Sequence, residues 1–91
     1  FDVIEKKTEV FLQIYPTQPQ FYYYSGLAFN QKGVFKKAKN ILESGLDFII
    51  DDPELEINFN IQLGEAYNGL GDMKKKEYYF SKAESALKNK N

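Results

Sequence analysis

The chain has 91 residues, a formal net charge of −1, and neither cysteine nor histidine. This length suits one small domain, and the balanced charge gives no reason to expect general affinity for nucleic acid or for a membrane surface. Without cysteine and histidine the chain lacks disulfides, thiolate metal ligands and the commonest general base, which argues against enzymatic catalysis.

The first segment, residues 1–16, is predicted to be a helix because its apolar residues approximate one helical face. The chain begins without methionine, so we expect it to be a piece of a longer protein, with any signal peptide upstream. Pro16 and Pro19 then bracket a loop, and Pro19 suits the first turn of the next helix. The apolar residues of the first segment are Val3, Ile4, Val10, Phe11 and Ile14.

A glycine separates the second and third predicted helices. The second runs from about Pro19 to Lys32, and Gly33 fits a C-terminal stop that turns the chain. The third is predicted over residues 35–50, because its apolar residues fall on one helical face. These residues are Phe35, Ala38, Leu42, Leu46 and Ile49.

Two aspartates mark the starts of the last two predicted helices. Asp52 can cap a fourth helix over residues 53–70, and Pro53 suits its first position. Asp72 can cap a fifth helix over residues 73–88. Since no strand pattern is present, we predict an all-α fold of about five helices.

An internal repeat becomes visible when the sequence is shifted by 38 positions, which aligns Gly26 with Gly64 and Gly33 with Gly71. Periods of roughly 20 to 50 residues are typical of stacked helical units. Gly26 and Gly64 lie inside apolar helical runs, where glycine costs about 1 kcal/mol relative to alanine, so we expect each to permit close helix approach. The same shift aligns Phe21 with Phe59, Ala28 with Ala66, Phe29 with Tyr67, and Asn30 with Asn68.

The order of small and aromatic residues in both copies resembles the tetratricopeptide repeat, a helix-turn-helix unit of about 34 residues. The resemblance implies a single domain, an α-solenoid of antiparallel helix pairs. Residues 1–16 would be the second helix of a truncated repeat, and residues 19–52 and 53–88 two full repeats. A third helix about one turn longer than usual would explain the longer period. The resemblance depends on Tyr22, Gly26, Phe29, Gly33, Phe35, Ala38, Leu42 and Leu46, then on Leu63, Gly64, Ala66, Tyr67, Gly71, Phe80 and Ala83.

The second copy departs from the family pattern at two positions. Asn60 stands where a large aromatic residue is usual, and Lys76 stands where the first copy has the small residue Ala38. A lysine at a packing position indicates that the last helix receives no further repeat. The second repeat is therefore a possible cap of the array.

In this family the first helix of each repeat lines a concave groove, which the resemblance makes the candidate peptide-binding site. Some members hold a peptide carboxylate there with basic residues, but none of the corresponding positions here is lysine or arginine. Tyr23 and Tyr24 are either ligand contacts or simply part-exposed neighbours of a buried Tyr22. Asn30 and Asn68 fit helix-end hydrogen bonding as well as peptide contact. The candidate groove residues are Gln20, Tyr23, Tyr24, Leu27, Asn30, Asn58, Ile61, Glu65 and Asn68.

The sequence thus predicts non-enzymatic protein–protein interaction, with a peptide or protein partner in the groove. The alternative is a structural C-terminal cap, or a self-association segment, of a longer array whose binding site lies upstream. We expect no catalytic residue, cofactor or metal, because the carboxylates near Asp52 are explained by helix capping and solvation. Self-association would use the exposed end helices and give a homo-oligomer.

Lysines and acids are predicted to lie on opposite edges of the array. The lysines form two groups, one after each glycine turn, and the interpretation without a function is that they are simply a solvated surface. They lack arginine and interleaved exposed aromatic residues, so we expect no nucleic-acid binding. No apolar run is long enough for membrane insertion, and the cellular location is open. The two groups are Lys32, Lys36, Lys37 and Lys39, then Lys74, Lys75 and Lys76; the acids are Asp47, Asp51, Asp52, Glu54 and Glu56.

Overall fold

A computed structural model describes residues 7, 10, 12–14 and 16–89. Residues 7, 10 and 12–14 are helical, and no strand occurs in the part of the chain that the structure describes. The prediction of an all-α chain of about five helices is confirmed for that part. The predicted half-repeat at residues 1–16 lies largely outside the described residues. The helices with defined bounds are α1 (Pro19–Gln31), α2 (Phe35–Leu46), α3 (Pro53–Leu70) and α4 (Met73–Asn89).

Helices α3 and α4 start at the predicted caps. The Asp52 carboxylate accepts a hydrogen bond from the third residue of α3, at 3.1 Å from the Leu55 nitrogen. The Asp72 carboxylate does the same for α4, at 3.1 Å from the Lys75 nitrogen. Each satisfies an amide that the helix itself leaves unbonded. Gly71 precedes the second cap with a left-handed φ of 81°, as a helix stop requires.

Helix α2 ends at Leu46, so the prediction that it reaches residue 50 is wrong. The next amides form short turn bonds, from Phe48 to the Gly45 carbonyl and from residue 49 to the Leu46 carbonyl. The Phe48 ring lies 5.6 Å from the ring of Tyr22, so this side chain packs against the core after the helix has stopped, whereas Ile50 is 80% exposed. The longer period therefore comes from the connection between α2 and α3, and α2 itself is not extended.

Consecutive helices pack against each other, and α1 also contacts α3. Close approaches of Gly26 to Leu42 and of Gly45 to Tyr22 make α1 and α2 antiparallel. Helices α1 and α3 run in the same direction, because early residues contact early residues and late residues contact late ones: Tyr23 lies beside Phe59, and Asn30 bonds to Gln62. Two parallel helices thus lie side by side, each with an antiparallel partner.

Four large side chains in the middle of this packing are fully buried. Each one contributes about 1.5–3 kcal/mol to stability through its removal from water. They belong to α1, α2 and α3, so the core joins all three helices and is not confined to one pair. These residues are Phe29, Leu42, Phe59 and Leu63.

Glycines set the distance between the helices. A Cβ at Gly26 would collide with Leu42, and one at Gly64 would collide with Phe80, which confirms the predicted close approaches. The structure has two more such approaches, of Gly45 to Tyr22 and of Gly69 to Phe35, which were not predicted. At all four positions the absent side chain makes room for a large one from the neighbouring helix.

Candidate functional site

A concave pocket of about 240 Å³ lies where the C-terminal half of α1 faces α3. We call it the α1–α3 pocket. Helix α1 supplies three of its residues, α3 supplies two, and the first residue of α2 completes it. Its lining is Leu27, Asn30, Gln31, Phe35, Gln62 and Glu65.

Asn30 connects the two helices across this pocket. Its Nδ2 donates to the main-chain oxygen of Gln62 at 2.9 Å and to Gln62 Oε1 at 3.0 Å. Its Oδ1 is buried and has no hydrogen-bond partner among the residues that the structure describes. The Asn30 amide therefore bonds to the neighbouring helix through its donors, while its acceptor is unsatisfied.

Apolar walls flank this polar bridge. Phe35 opens α2 just after the Gly33 turn, and its ring packs against the main chain of Gly69 on α3. Leu27 lies one turn before Asn30 on α1 and is half-buried, whereas Glu65 on α3 is exposed. The pocket thus combines an aliphatic side chain, an aromatic ring, amides and one carboxylate.

The three consecutive tyrosines of α1 have different environments. Tyr22 is a core residue whose hydroxyl donates to the Pro16 carbonyl at 2.8 Å. Tyr23 is half-buried, with its ring 5.8 Å from that of Phe59 and 5.7 Å from that of Tyr24. Tyr24 is 61% exposed. Of the three, only Tyr24 presents most of its side chain to solvent, and the Tyr23 ring lies beside it.

The structure brings together three of the nine predicted groove residues, Leu27, Asn30 and Glu65, in the α1–α3 pocket. Asn58 instead lines a second pocket of about 230 Å³ beside Leu87 of α4. The remaining predicted positions on the two helices are Gln20 and Asn68, both exposed, Ile61, half-buried, and the tyrosines 23 and 24.

Three pocket residues, Gln31, Phe35 and Gln62, are not among the nine predicted groove residues. Gln31 follows Leu27 by one helical turn, so the helical period alone could have included it. Phe35 belongs to the next helix and reaches the pocket only because Gly69 on α3 leaves space for its ring. The sequence shows that Gly69 is small, but not which side chain fills that space.

A second polar cluster lies between α2, α3 and α4, and sequence reasoning missed it. Tyr67 and Tyr79 both donate to Glu43 Oε2, at 2.6 Å and 3.2 Å, and their rings stack with centroids 5.6 Å apart. Burial, reinforced by the Glu43 carboxylate, raises the pKa of Tyr79 to about 12. The same causes raise the pKa of Tyr67 well above the usual tyrosine value.

Lysines from two helices converge on this cluster. The Lys39 ammonium of α2 lies 6.0 Å from the centroid of the Tyr67 ring, and the Lys75 ammonium of α4 lies 5.3 Å from it. Such contacts are worth about 0.5–1 kcal/mol at exposed sites. Lys39 and Lys75, one from each predicted lysine group, thus lie near the same ring, and the shared edge of the two groups stays a prediction.

No family model matches the chain, and the comparisons with curated proteins and with solved structures found no match either. Within the described ranges, no helix has the length and apolar character needed to cross a membrane. The described residues also contain no group of three or more acidic side chains placed to hold a metal ion. The α1–α3 pocket is therefore interpreted from its own geometry.

Proposed function

We propose that this chain is a non-enzymatic protein–protein interaction module of the tetratricopeptide type, which binds a peptide segment of its partner along α1 and α3. The support for the architecture is the parallel placement of α1 and α3, each with an antiparallel partner at a glycine-mediated contact. The spacing of 38 residues between equivalent positions supports the same interpretation.

The observation that carries the functional proposal is the α1–α3 pocket. It places an aliphatic and an aromatic side chain beside amides and a carboxylate, which suits one anchoring side chain and the main-chain polar groups of a peptide. Farther along α1, the exposed Tyr24 offers a second contact with a large apolar area and a hydroxyl. A peptide lying along α1 would reach both.

Selection from a displayed random-peptide library tests the proposal. Peptides enriched on the wild-type chain are measured against Tyr24→Ala and against Tyr78→Ala, a control on α4 with similar exposure, 56% against 61%. Loss of a contributing aromatic contact weakens binding by about tenfold, or roughly 1.4 kcal/mol. We expect that loss for Tyr24→Ala and not for Tyr78→Ala. Equal effects of both variants, or no enriched peptide, would overturn the proposal.

Self-association is a second candidate because α4 exposes large apolar side chains. Tyr78 is 56% exposed, and Met73, on the same helix, is 47% exposed. Lys76, at the position of the fully buried Ala38, is half-buried, which fits the role of a terminal cap. Light scattering over a dilution series tests for self-association, since a monomer mass at every concentration rules it out. A dimer that Tyr78→Glu dissociates would support it.

A further inference from the structure

The charge of the α1–α3 pocket comes from one side chain. Glu65 is the sole ionised group in its lining, and among the residues that the structure describes it forms no ion pair. The lysine that follows α1, Lys32, is exposed and does not line the pocket. A ligand entering the pocket therefore meets a negative charge that the chain itself does not neutralise.

The uncharged polar groups point to the same ligand chemistry. The Asn30 donors are occupied by Gln62, while its Oδ1 is buried without a partner in the described part of the chain. Because both Asn30 donors are occupied, this side chain offers no free amide donor to an anionic ligand.

Helix ends give the pocket no clear charge preference. Asn30 and Gln31 are the last two residues of α1, whose C-terminus carries partial negative charge, but Phe35 is the first residue of α2, whose N-terminus carries partial positive charge. The charge of Glu65 therefore decides which ligand charge the pocket favours.

The apolar walls suit the rest of a long basic side chain. Lysine and arginine bury their methylene stems against apolar surface while the charged head reaches polar groups. Leu27 can cover such a stem, and the Phe35 ring can lie against a guanidinium or ammonium, a contact worth about 0.5–2 kcal/mol. An acidic side chain would meet the Glu65 carboxylate with no cation in the pocket lining to compensate it.

We infer that the α1–α3 pocket binds a lysine or arginine side chain of the partner peptide, with Glu65 receiving its cationic head and Leu27 and Phe35 its stem. This inference rests on the proposed function, because it names the residue type that the peptide groove selects. It is opposite in charge to a pocket that holds a peptide carboxylate, which would need basic residues here.

The test uses N-acetylated peptides, so that a terminal amine cannot serve as the cation. A random library is selected against the wild-type chain and against Glu65→Gln, and the enriched sequences are compared for basic residues. Glu77→Gln on α4 is the matched control, because Glu77 is also exposed and the same charge is removed away from the pocket. Circular dichroism confirms that the variants keep the helical fold.

One enriched peptide is then resynthesised with citrulline or norleucine in place of its basic residue. On the wild-type chain we expect the replacement to weaken binding about tenfold, as for a loss of roughly 1.4 kcal/mol. On Glu65→Gln the same replacement should change binding by less than about threefold, because the carboxylate that pairs with the basic residue is gone. The four measurements form a double-mutant cycle, which isolates the interaction between Glu65 and the basic residue. On Glu77→Gln the tenfold loss should persist.

Two different failures are distinguishable. Enriched peptides that bind through Tyr24 but show no preference for lysine or arginine would overturn this inference and leave the proposed function standing. The same conclusion follows if the preference is unchanged in Glu65→Gln. If no peptide is enriched on the wild-type chain, the proposed function is wrong and the inference is overturned with it.

Discussion

Gly45→Ala is the sharpest test of how the helices are packed. A Cβ at this position would collide with Tyr22 Cβ, and would lie 2.8 Å from Tyr22 Cγ and 2.9 Å from Phe59 Cε2. The atom Tyr22 Cβ is attached to the main chain of α1, so it cannot move away as the end of a flexible side chain can. The substitution therefore forces α1 and α2 apart at a contact that also touches the core of α3.

The expected size follows from two opposing terms. Alanine gains about 1 kcal/mol over glycine inside a helix, whereas overpacking a close-packed core costs about 1–3 kcal/mol and sometimes more. The new Cβ would contact an atom next to the main chain and the fully buried Phe59, so we take the upper end of the overpacking cost. We therefore expect the free energy of unfolding to fall by about 2 kcal/mol. For a chain of this size that lowers the melting temperature by roughly 8–16 °C.

Urea unfolding followed by circular dichroism measures this change. Gly33→Ala is the control, because nothing lies within 4 Å of a Cβ there and the cost comes from its left-handed φ of 77° alone. That backbone cost is about 1 kcal/mol. A Gly45→Ala variant as stable as the wild-type chain, or more stable, would show that α1 and α2 are farther apart than described.

Three further predictions concern packing, capping and pH. Gly26→Leu should lower the free energy of unfolding by several kcal/mol in urea titrations, because the fully buried Leu42 fills the space; a loss below about 1 kcal/mol would contradict the helix contact. Asp52→Ala should cost about 1 kcal/mol, with Asp52→Asn retaining most of the cap, and equal losses would exclude the capping role. Because the folded pKa of Tyr79 is raised to about 12 from an unfolded value of about 10, its contribution is complete below pH 10 and is lost between about 10 and 12. Unfolding at several pH values should show that decline, and Tyr79→Phe should reduce it.

Local signals in the sequence predicted the helix starts well. Asp52, Pro53 and Asp72 act through groups within three residues along the chain, so each cap could be read without knowledge of the rest of the fold. The end of α2 depends on a contact between residues far apart in the sequence. Phe48 leaves the helix to pack against Tyr22, 26 positions earlier, and apolar periodicity cannot separate that outcome from a longer helix.

Part of the candidate site was predictable from the helical period and the internal repeat. The helical period placed Leu27 and Asn30 on one face of α1, and the repeat transferred that face to Glu65 on α3. The bond from Asn30 to Gln62 joins residues 32 apart, and its formation depends on how α1 and α3 are aligned. That alignment is set by packing, so the unsatisfied Asn30 acceptor could not be inferred from sequence.

The two polar clusters described above differ in whether the chain's own residues pair their charged and hydrogen-bonding groups. Glu43 receives two tyrosine hydroxyls, and lysine ammonium groups lie over the face of Tyr67, so that cluster is balanced by its own residues. Disrupting it should lower stability, because a part-buried carboxylate or hydroxyl would lose its partner. In the α1–α3 pocket, Glu65 and the Asn30 acceptor are not balanced in this way. Removing the Glu65 charge should therefore change binding and leave stability nearly unaltered, which is the behaviour expected of a recognition site rather than of a core interaction.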